Sequence, residues 1–284
     1  MLVTGSIDEI RSTVRLWKRE RLTVGLVPTM GALHEGHLHL IRQLREEVDR
    51  VVVSIFVNPT QFGPGEDYTS YPRTLDDDLK KCRKLRTAAV FHPDSSDMYP
   101  ADPRLSIDIR DLNEHLCGAS RPGFFEGVVL IVNKLFNIVE PDLAIFGQKD
   151  FQQYQIISRM VREFNHPVRL RMGEIVRAND GLALSSRNSY LSNQERLVAP
   201  SLYRSLRYIS LQIEQGVSDP ALLLEHQKRE LEGKGFKIDY FGIYSVDELH
   251  PVDTMEPGRN YLLAAAVYLG KTRLIDNMIL SSKS

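Results

Sequence analysis

Val51-Val52-Val53-Ser54-Ile55-Phe56-Val57 is apolar at every position except Ser54. A strand with one wet face alternates apolar and polar residues. A run that is apolar on both faces belongs in the interior of a parallel sheet covered on both sides. Upstream, Thr23-Val24-Gly25-Leu26-Val27 reads as a second buried strand. After a polar turn, Leu38, Ile41, Leu44 and Val48 recur at helical spacing, with Arg42, Arg45, Glu46 and Glu47 between them. Downstream, the stretch from Thr74 to Arg86 sets Leu75, Leu79, Cys82 and Leu85 on one helical face. Ala88-Ala89-Val90-Phe91 then gives a third strand. Gly127 to Val139 reads as helix, Asp142 to Phe146 as strand, and Asp150 to Phe164 as a helix with Ile156, Met160 and Phe164 on one stripe. Strand–helix alternation of this kind predicts right-handed crossovers between parallel strands.

The expected fold is therefore α/β: a Rossmann-like doubly wound parallel sheet, followed by a smaller C-terminal α+β domain. Beyond Val176 two helices are expected, Glu195 to Gln215 and Pro220 to Glu232. Strands follow at Phe236–Tyr244, Tyr261–Leu269 and Thr272–Ile279, with Gly270-Lys271 as a tight turn. The expected domains are 1–175 and 176–284, with the boundary near Gly173 to Val176. A chain of 284 residues suits two domains. Its 36 basic and 37 acidic residues leave a net charge of −1, so bulk nucleic-acid binding is not indicated. Cys82 and Cys117 form no CxxC, which favours a reduced cytoplasmic setting. No apolar run reaches the roughly 20 residues that span a bilayer, and the charged stretch from Met1 to Glu20 is no signal peptide.

In open parallel sheets, ligands bind beyond the carboxyl ends of the strands. Beyond the first strand stands Pro28-Thr29-Met30-Gly31-Ala32-Leu33-His34-Glu35-Gly36-His37. Glycines there permit close backbone approach, and a helix N-terminus offers N–H groups and positive potential to phosphate. Imidazoles can donate to the same oxygens. Simple capping is the bland alternative, and the zincin metal pattern fails because Leu38 stands where it needs His. Beyond the second strand, Asn58-Pro59-Thr60-Gln61-Phe62 offers amides to a small polar substrate, or is an ordinary turn. The stretch from Gly63 to Tyr71 reads as a lid. Beyond the Asp142–Phe146 strand, Gly147-Gln148-Lys149-Asp150 again has phosphate geometry, with Asp150 equally readable as an N-cap. Leu184-Ser185-Ser186-Arg187-Asn188 suits a polyphosphate, although such loops are commonly solvated surface. Ala265 to Thr272 fits a permissive P-loop pattern, but strand-like residues on both sides of Gly270-Lys271 make it a hairpin.

His34-Glu35-Gly36-His37 together with Ser185-Ser186-Arg187 resembles the nucleotidylyltransferase superfamily. The finer resemblance is to the pantoate–β-alanine ligase family. It rests on Pro28-Thr29-Met30-Gly31, Asn58-Pro59-Thr60-Gln61-Phe62, Phe146 to Gln153, Leu184 to Asn188 and Gly270 to Asn277, all in the family's order. The resemblance implies ATP-driven condensation of (R)-pantoate with β-alanine through a pantoyl-adenylate, giving AMP and pyrophosphate. It implies that His34, His37, Lys149, Ser185, Ser186 and Arg187 act on the phosphates, with His37 as proton donor. Met30, Gly31, Ala32, Leu33, Glu35, Gly36, Gly147, Gln148, Asp150, Val176 and Leu184 would complete the ATP site. Gln61 and Gln153, with Pro28, Thr29 and Asn58, would bind pantoate, and Gln61 would also face β-alanine. Mg²⁺ would sit on Asp77, against an alternative in which Asp76-Asp77-Asp78 is a solvated helix face. A homodimer in the cytoplasm is implied, with no nucleic-acid or membrane partner. Two other readings are a nucleotidylyltransferase acting on a phosphate and a non-catalytic ATP sensor. The chain departs from the family at Arg121-Pro122-Gly123-Phe124-Phe125-Glu126-Gly127, where Phe124 replaces a usual His and Glu126 a common Arg.

Overall fold

The computed structural model describes residues 1–101, 104–217 and 219–281. Two compact units share the chain. The first takes Met1–Arg110, Arg121–Gln148 and Gln153–Glu174; the second takes Asp111–Ser120, Lys149–Gln152 and everything from Ile175 on. The contacts thus also place two short inserts, 111–120 and 149–152, in the second unit.

In the first unit, the elements are β1 (Leu2–Thr4), α1 (Ile7–Arg19), β2 (Val24–Thr29), α2 (Glu35–Glu47), β3 (Arg50–Ile55), α3 (Leu75–Lys84), β4 (Ala89–Phe91) and α4 (Ser95–Met98). After α5 (Leu116–Ser120), which belongs to the second unit, come α6 (Phe124–Val139), β5 (Leu143–Gly147), α7 (Phe151–Glu163) and β6 (Arg169–Gly173). The six strands form one parallel sheet in the order β1-β4-β3-β2-β5-β6. This is the doubly wound architecture expected from the 51–57 run, whose Val51, Val52 and Val53 are buried on β3. The chain winds outward from β2 through β3 to β4, then returns to the other side of β2 for β5 and β6. The topological switch point therefore falls between β2 and β5, where such sheets bind ligands.

Three elements carry little sequence signal. β1 is three residues long. The α1 helix buries only Ile10 and Val14 among its charges. β6 is an edge strand that alternates arginine with Leu170 and Met172. Phe164 does not join the buried stripe of α7, because the helix ends at Glu163 and the ring lies on the surface beside His166.

The second unit holds α8 (Asn193–Val198), α9 (Ser201–Glu214), α10 (Ala221–Glu232), β7 (Phe236–Ser245), β8 (Asn260–Leu269) and β9 (Thr272–Ser281). β7, β8 and β9 form an antiparallel sheet. Leu202, Leu206, Ile209 and Ile213 of α9 pack with Phe241, Ile243, Leu263 and Val267 in its core. The single helix expected over Glu195–Gln215 is two, broken at Ala199-Pro200. A proline inside a continuous helix lacks the N–H that its turn requires, so Pro200 instead opens α9. Gly270, at φ 57°, turns β8 into β9 with Leu269 opposite Thr272, which confirms a hairpin and not a P-loop.

Candidate active site

At the carboxyl end of β2 the chain does not turn where the sequence suggested. Pro28 and Thr29 are strand residues paired with Ser54 and Ile55. Thr29 is buried, and its hydroxyl donates to the Ser54 carbonyl (2.7 Å) while accepting the Gly31 N–H (3.2 Å). This hydroxyl thus shapes the turn, where a substrate ligand was expected. Gly31 and Ala32 then take left-handed backbone, φ 85° and 49°. That conformation is unfavourable for alanine. It is held by Asp78 of α3, whose side chain is fully buried. Asp78 Oδ2 accepts the Ala32 N–H (2.9 Å) and Oδ1 the Leu33 N–H (2.8 Å). Thr74 adds a third hydrogen bond at 3.2 Å. The N–H groups of Ala32 and Leu33, expected at the nucleotide, are thus committed to this carboxylate.

The turn delivers His34 as N-cap of α2. Its Nδ1 accepts the Gly36 N–H (3.2 Å), and Nδ1 of His37 accepts the His34 N–H (3.3 Å). The two rings lie 4.1 Å apart. Because both Nδ1 atoms accept, each neutral ring carries its proton on Nε2. Capping and phosphate contact, alternatives in the sequence, are compatible: one nitrogen builds the helix end and the other is a donor. Glu35 is exposed and pairs with Arg42. Gly36 leaves room for the His34 ring, which a Cβ there would meet at 2.9 Å.

Beyond β3, Asn58 is buried and its amide is fully used. Nδ2 donates to Gln61 Oε1 (3.0 Å) and the Gly127 carbonyl (3.1 Å), and Oδ1 accepts from Tyr99 (2.7 Å) and Thr60 (3.0 Å). Asn58 therefore orients Gln61, with both ends of its amide bonded within the protein. Gln61 is nearly buried, and its Nε2 lies 2.9 Å from Met30 Sδ, which ties the two strand ends together. The 63–71 stretch is clamped: Arg121 meets Glu66 through Nε (2.7 Å) and Nη2 (2.6 Å), and its guanidinium stacks 3.6 Å over the Phe124 ring. Phe124, the departure from the family pattern, supplies that stacking face.

The acidic trio is split by its helix. Asp78 is buried, whereas Asp77 is exposed and pairs with Lys80 at 2.8 Å, which lowers its pKa. Among the described residues, no group of three or more His, Cys, Asp or Glu could hold a metal ion. The spacing offered a signal for Asp78, since positions 75, 78, 79 and 82 form one helical face.

In the second unit, Lys149 pairs with Asp150 at 3.2 Å, and its carbonyl accepts from Asn277 Nδ2 at 3.0 Å. The neighbouring Gln152 accepts the Cys117 N–H and donates to the carbonyls of Leu112 and His115, all within the second unit. Val176 to Leu184 forms a short hairpin, closed by the Leu184 N–H on the Val176 carbonyl (2.9 Å) and a bridge between Arg177 and Ala183. It leads directly into Ser185, which caps the turn Ser186–Tyr190 by accepting the Arg187 N–H. Ser186 and Arg187 are half-buried, as are Gly147, Gln148 and Gln153 in the first unit.

The doubly wound parallel sheet thus sets a paired imidazole N-cap and an amide corner beyond its strand ends, where α/β enzymes of this architecture bind ligands. The family model described as pantoate-beta-alanine ligase matches residues 2–279. The pantothenate synthetase of Pseudomonas savastanoi pv. phaseolicola is 46% identical over 284 residues, covering 99% of both chains. That of Clostridium novyi is 46% identical over 280 residues, covering 98% of each. Among solved structures, pantothenate synthetase from Thermus thermophilus superposes with a TM-score of 0.90 at 40% identity, over 98% of this chain and 99% of that one. Pantoate-beta-alanine ligase from Francisella tularensis, complexed with beta-gamma ATP and beta-alanine, gives 0.83 at 33% identity, over 98% and 97%. The chain belongs to the pantoate–β-alanine ligase family.

Proposed function

We propose that the protein condenses (R)-pantoate with β-alanine at the expense of ATP. The pantoate carboxylate oxygen attacks the α-phosphorus, the bond to the β-phosphate oxygen breaks, and pyrophosphate leaves. The β-alanine amine then attacks the acyl carbonyl of the adenylate, loses a proton and expels AMP. Bringing a carboxylate to a triphosphate requires cations and hydrogen-bond donors that offset like charge and hold the reactants in line. His34 and His37 supply Nε2–H donors at the α2 N-terminus, with His37 as proton donor. Within the second unit, Lys149, Ser185, Ser186 and Arg187 supply ammonium, hydroxyl and guanidinium groups of the kind that bind phosphate. Gln61 and Gln153 bind pantoate, and Met30 packs beside the nucleotide.

The observation that carries this reading is the imidazole pair. Both Nδ1 atoms are tied to backbone N–H groups, which directs the protons to Nε2. Among the described residues no group of three or more His, Cys, Asp or Glu could hold a metal ion, and Asp77 is exposed and paired with Lys80. A Mg²⁺ ion accompanying ATP takes most of its ligands from phosphate oxygens and water. The family resemblance supports a cytoplasmic homodimer, and no helix among the described residues is long and apolar enough to cross a membrane.

The test is product stoichiometry from ATP, pantoate and β-alanine. One pantothenate, one AMP and one pyrophosphate per turnover are expected. ADP and phosphate as products would refute the adenylate route, and nucleotide binding without turnover would leave a sensor.

A further inference from the structure

The segment from Gly270 to Asn277 has no part in the reaction as proposed, yet β9 carries two adjacent buried polar residues, Asp276 and Asn277. A buried carboxylate is costly unless paired and hydrogen-bonded. Arg177 meets Asp276 with both terminal nitrogens, at 2.5 and 2.9 Å, and the Asn277 N–H adds a third bond at 2.8 Å. Burial raises the Asp276 carboxyl above its usual value, and the Arg177 guanidinium offsets part of that shift. The same guanidinium donates to the Gly181 carbonyl (3.2 Å) and lies 3.9 Å over the Tyr203 ring. It is therefore fixed on three sides within the 176–184 hairpin. Asn277, next in the chain, donates from its side chain to the Lys149 carbonyl.

We infer that Asp276 and Asn277 are positioning residues for the phosphate-binding groups of the second unit. Through Arg177, Asp276 holds the hairpin that leads into Ser185-Ser186-Arg187, and Asn277 holds the backbone from which the Lys149 ammonium reaches the nucleotide. Two consecutive strand residues thereby keep ammonium, hydroxyls and guanidinium in one fixed relation. The inference deepens the ligase reading and rests on it. Displacing a catalytic group by about 1 Å is enough to slow chemistry by about a hundredfold, so a residue that touches no substrate can still govern the first half-reaction.

The experiment uses the full chain in single-turnover mode, with pantoate-dependent pyrophosphate release followed separately from the β-alanine step. Asn277→Ala removes one side-chain-to-carbonyl hydrogen bond. It is expected to slow adenylation about tenfold or more, leaving the β-alanine step unchanged and Tm nearly so. In a Lys149→Ala background the same substitution should have less than about a twofold effect, because the two residues act as one unit. Asp276→Asn, with a larger Tm loss, should also slow adenylation more than coupling. Equal losses in both half-reactions, or Asn277→Ala and Lys149→Ala effects that simply multiply, would overturn the inference. Wild-type adenylation with an unaltered Asn277→Ala variant would overturn it alone. Wild-type protein that releases no pyrophosphate with pantoate would overturn the ligase reading itself.

Discussion

Substituting Asp78 by Asn tests how the left-handed turn before the imidazole pair is held. The two side chains are nearly equal in volume, so packing at this fully buried position is preserved. The carboxylate accepts two N–H groups on two different oxygens, from Ala32 at 2.9 Å and Leu33 at 2.8 Å. An amide has one accepting oxygen, so its NH₂ must face the other donor and leave it buried without a partner. Stranding one such group costs about 1–3 kcal/mol, and bonds to charged acceptors lie at the upper end. A loss of about 2–3 kcal/mol corresponds to about 4–12 °C in Tm for a domain of this size. Because the loosened residues precede His34, KM for ATP should rise about tenfold, or about 1.4 kcal/mol, with little change in KM for pantoate. Asp78→Ala should cost more, since it strands both donors. Asp77→Asn, on an exposed ion pair, should move Tm by little more than about 1 °C. Thermal melts and ATP-dependence curves of the three variants decide the matter. Asp78→Asn with wild-type Tm and ATP KM would refute the reasoning.

Gly127→Ala would place a Cβ 2.1 Å from the Thr60 carbonyl oxygen and 2.8 Å from the Gln61 nitrogen, both backbone atoms that no rotamer change can move. A loss of about 1–3 kcal/mol in stability is expected, with a raised KM for pantoate as Gln61 shifts; titrating pantoate in initial-rate assays checks it. His37→Asn should slow adenylate formation by about a hundred- to a thousandfold, while losing only about 1 kcal/mol of helix capping, as read by quenched-flow kinetics and a thermal melt. Burial lowers the pKa of His166, which pairs with Asn133 at 2.9 Å. Its stabilising contribution is present above about pH 6.5, where an unfolded-chain histidine is neutral, and is lost as pH falls from there through the lower folded value. Urea melts from about pH 8 to about pH 5 should therefore fall less steeply for His166→Gln than for the parent.

The sheet was legible because its central strands are buried on both faces, which leaves an apolar run that no half-exposed strand shares. The edges were not: β6 alternates arginines with apolar residues, and three-residue β1 has too little pattern to register. The helix break at Pro200 was legible in principle, since proline cannot continue a helix, but the apolar period carried across it. At the site, residue types in order pointed to His34, His37, Gln61 and Lys149. Sequence did not show which polar side chains are bonded within the protein itself. Thr29 and Asn58 were expected as ligands but have their polar groups turned onto the protein. In the acidic trio, Asp78 shares the buried face with Leu75, Leu79 and Cys82, whereas Asp77 lies about 100° around the helix from it. The Arg177–Asp276 pair joins residues far apart in the chain, a relation that no local spacing encodes.

The most direct test of the adenylate account omits β-alanine altogether. With ATP, pantoate and labelled pyrophosphate, reversible formation of a bound acyl-adenylate predicts label appearing in ATP, strictly dependent on pantoate and slowed about a hundredfold or more in His37→Asn. Exchange without pantoate, or none until β-alanine is added, would contradict it.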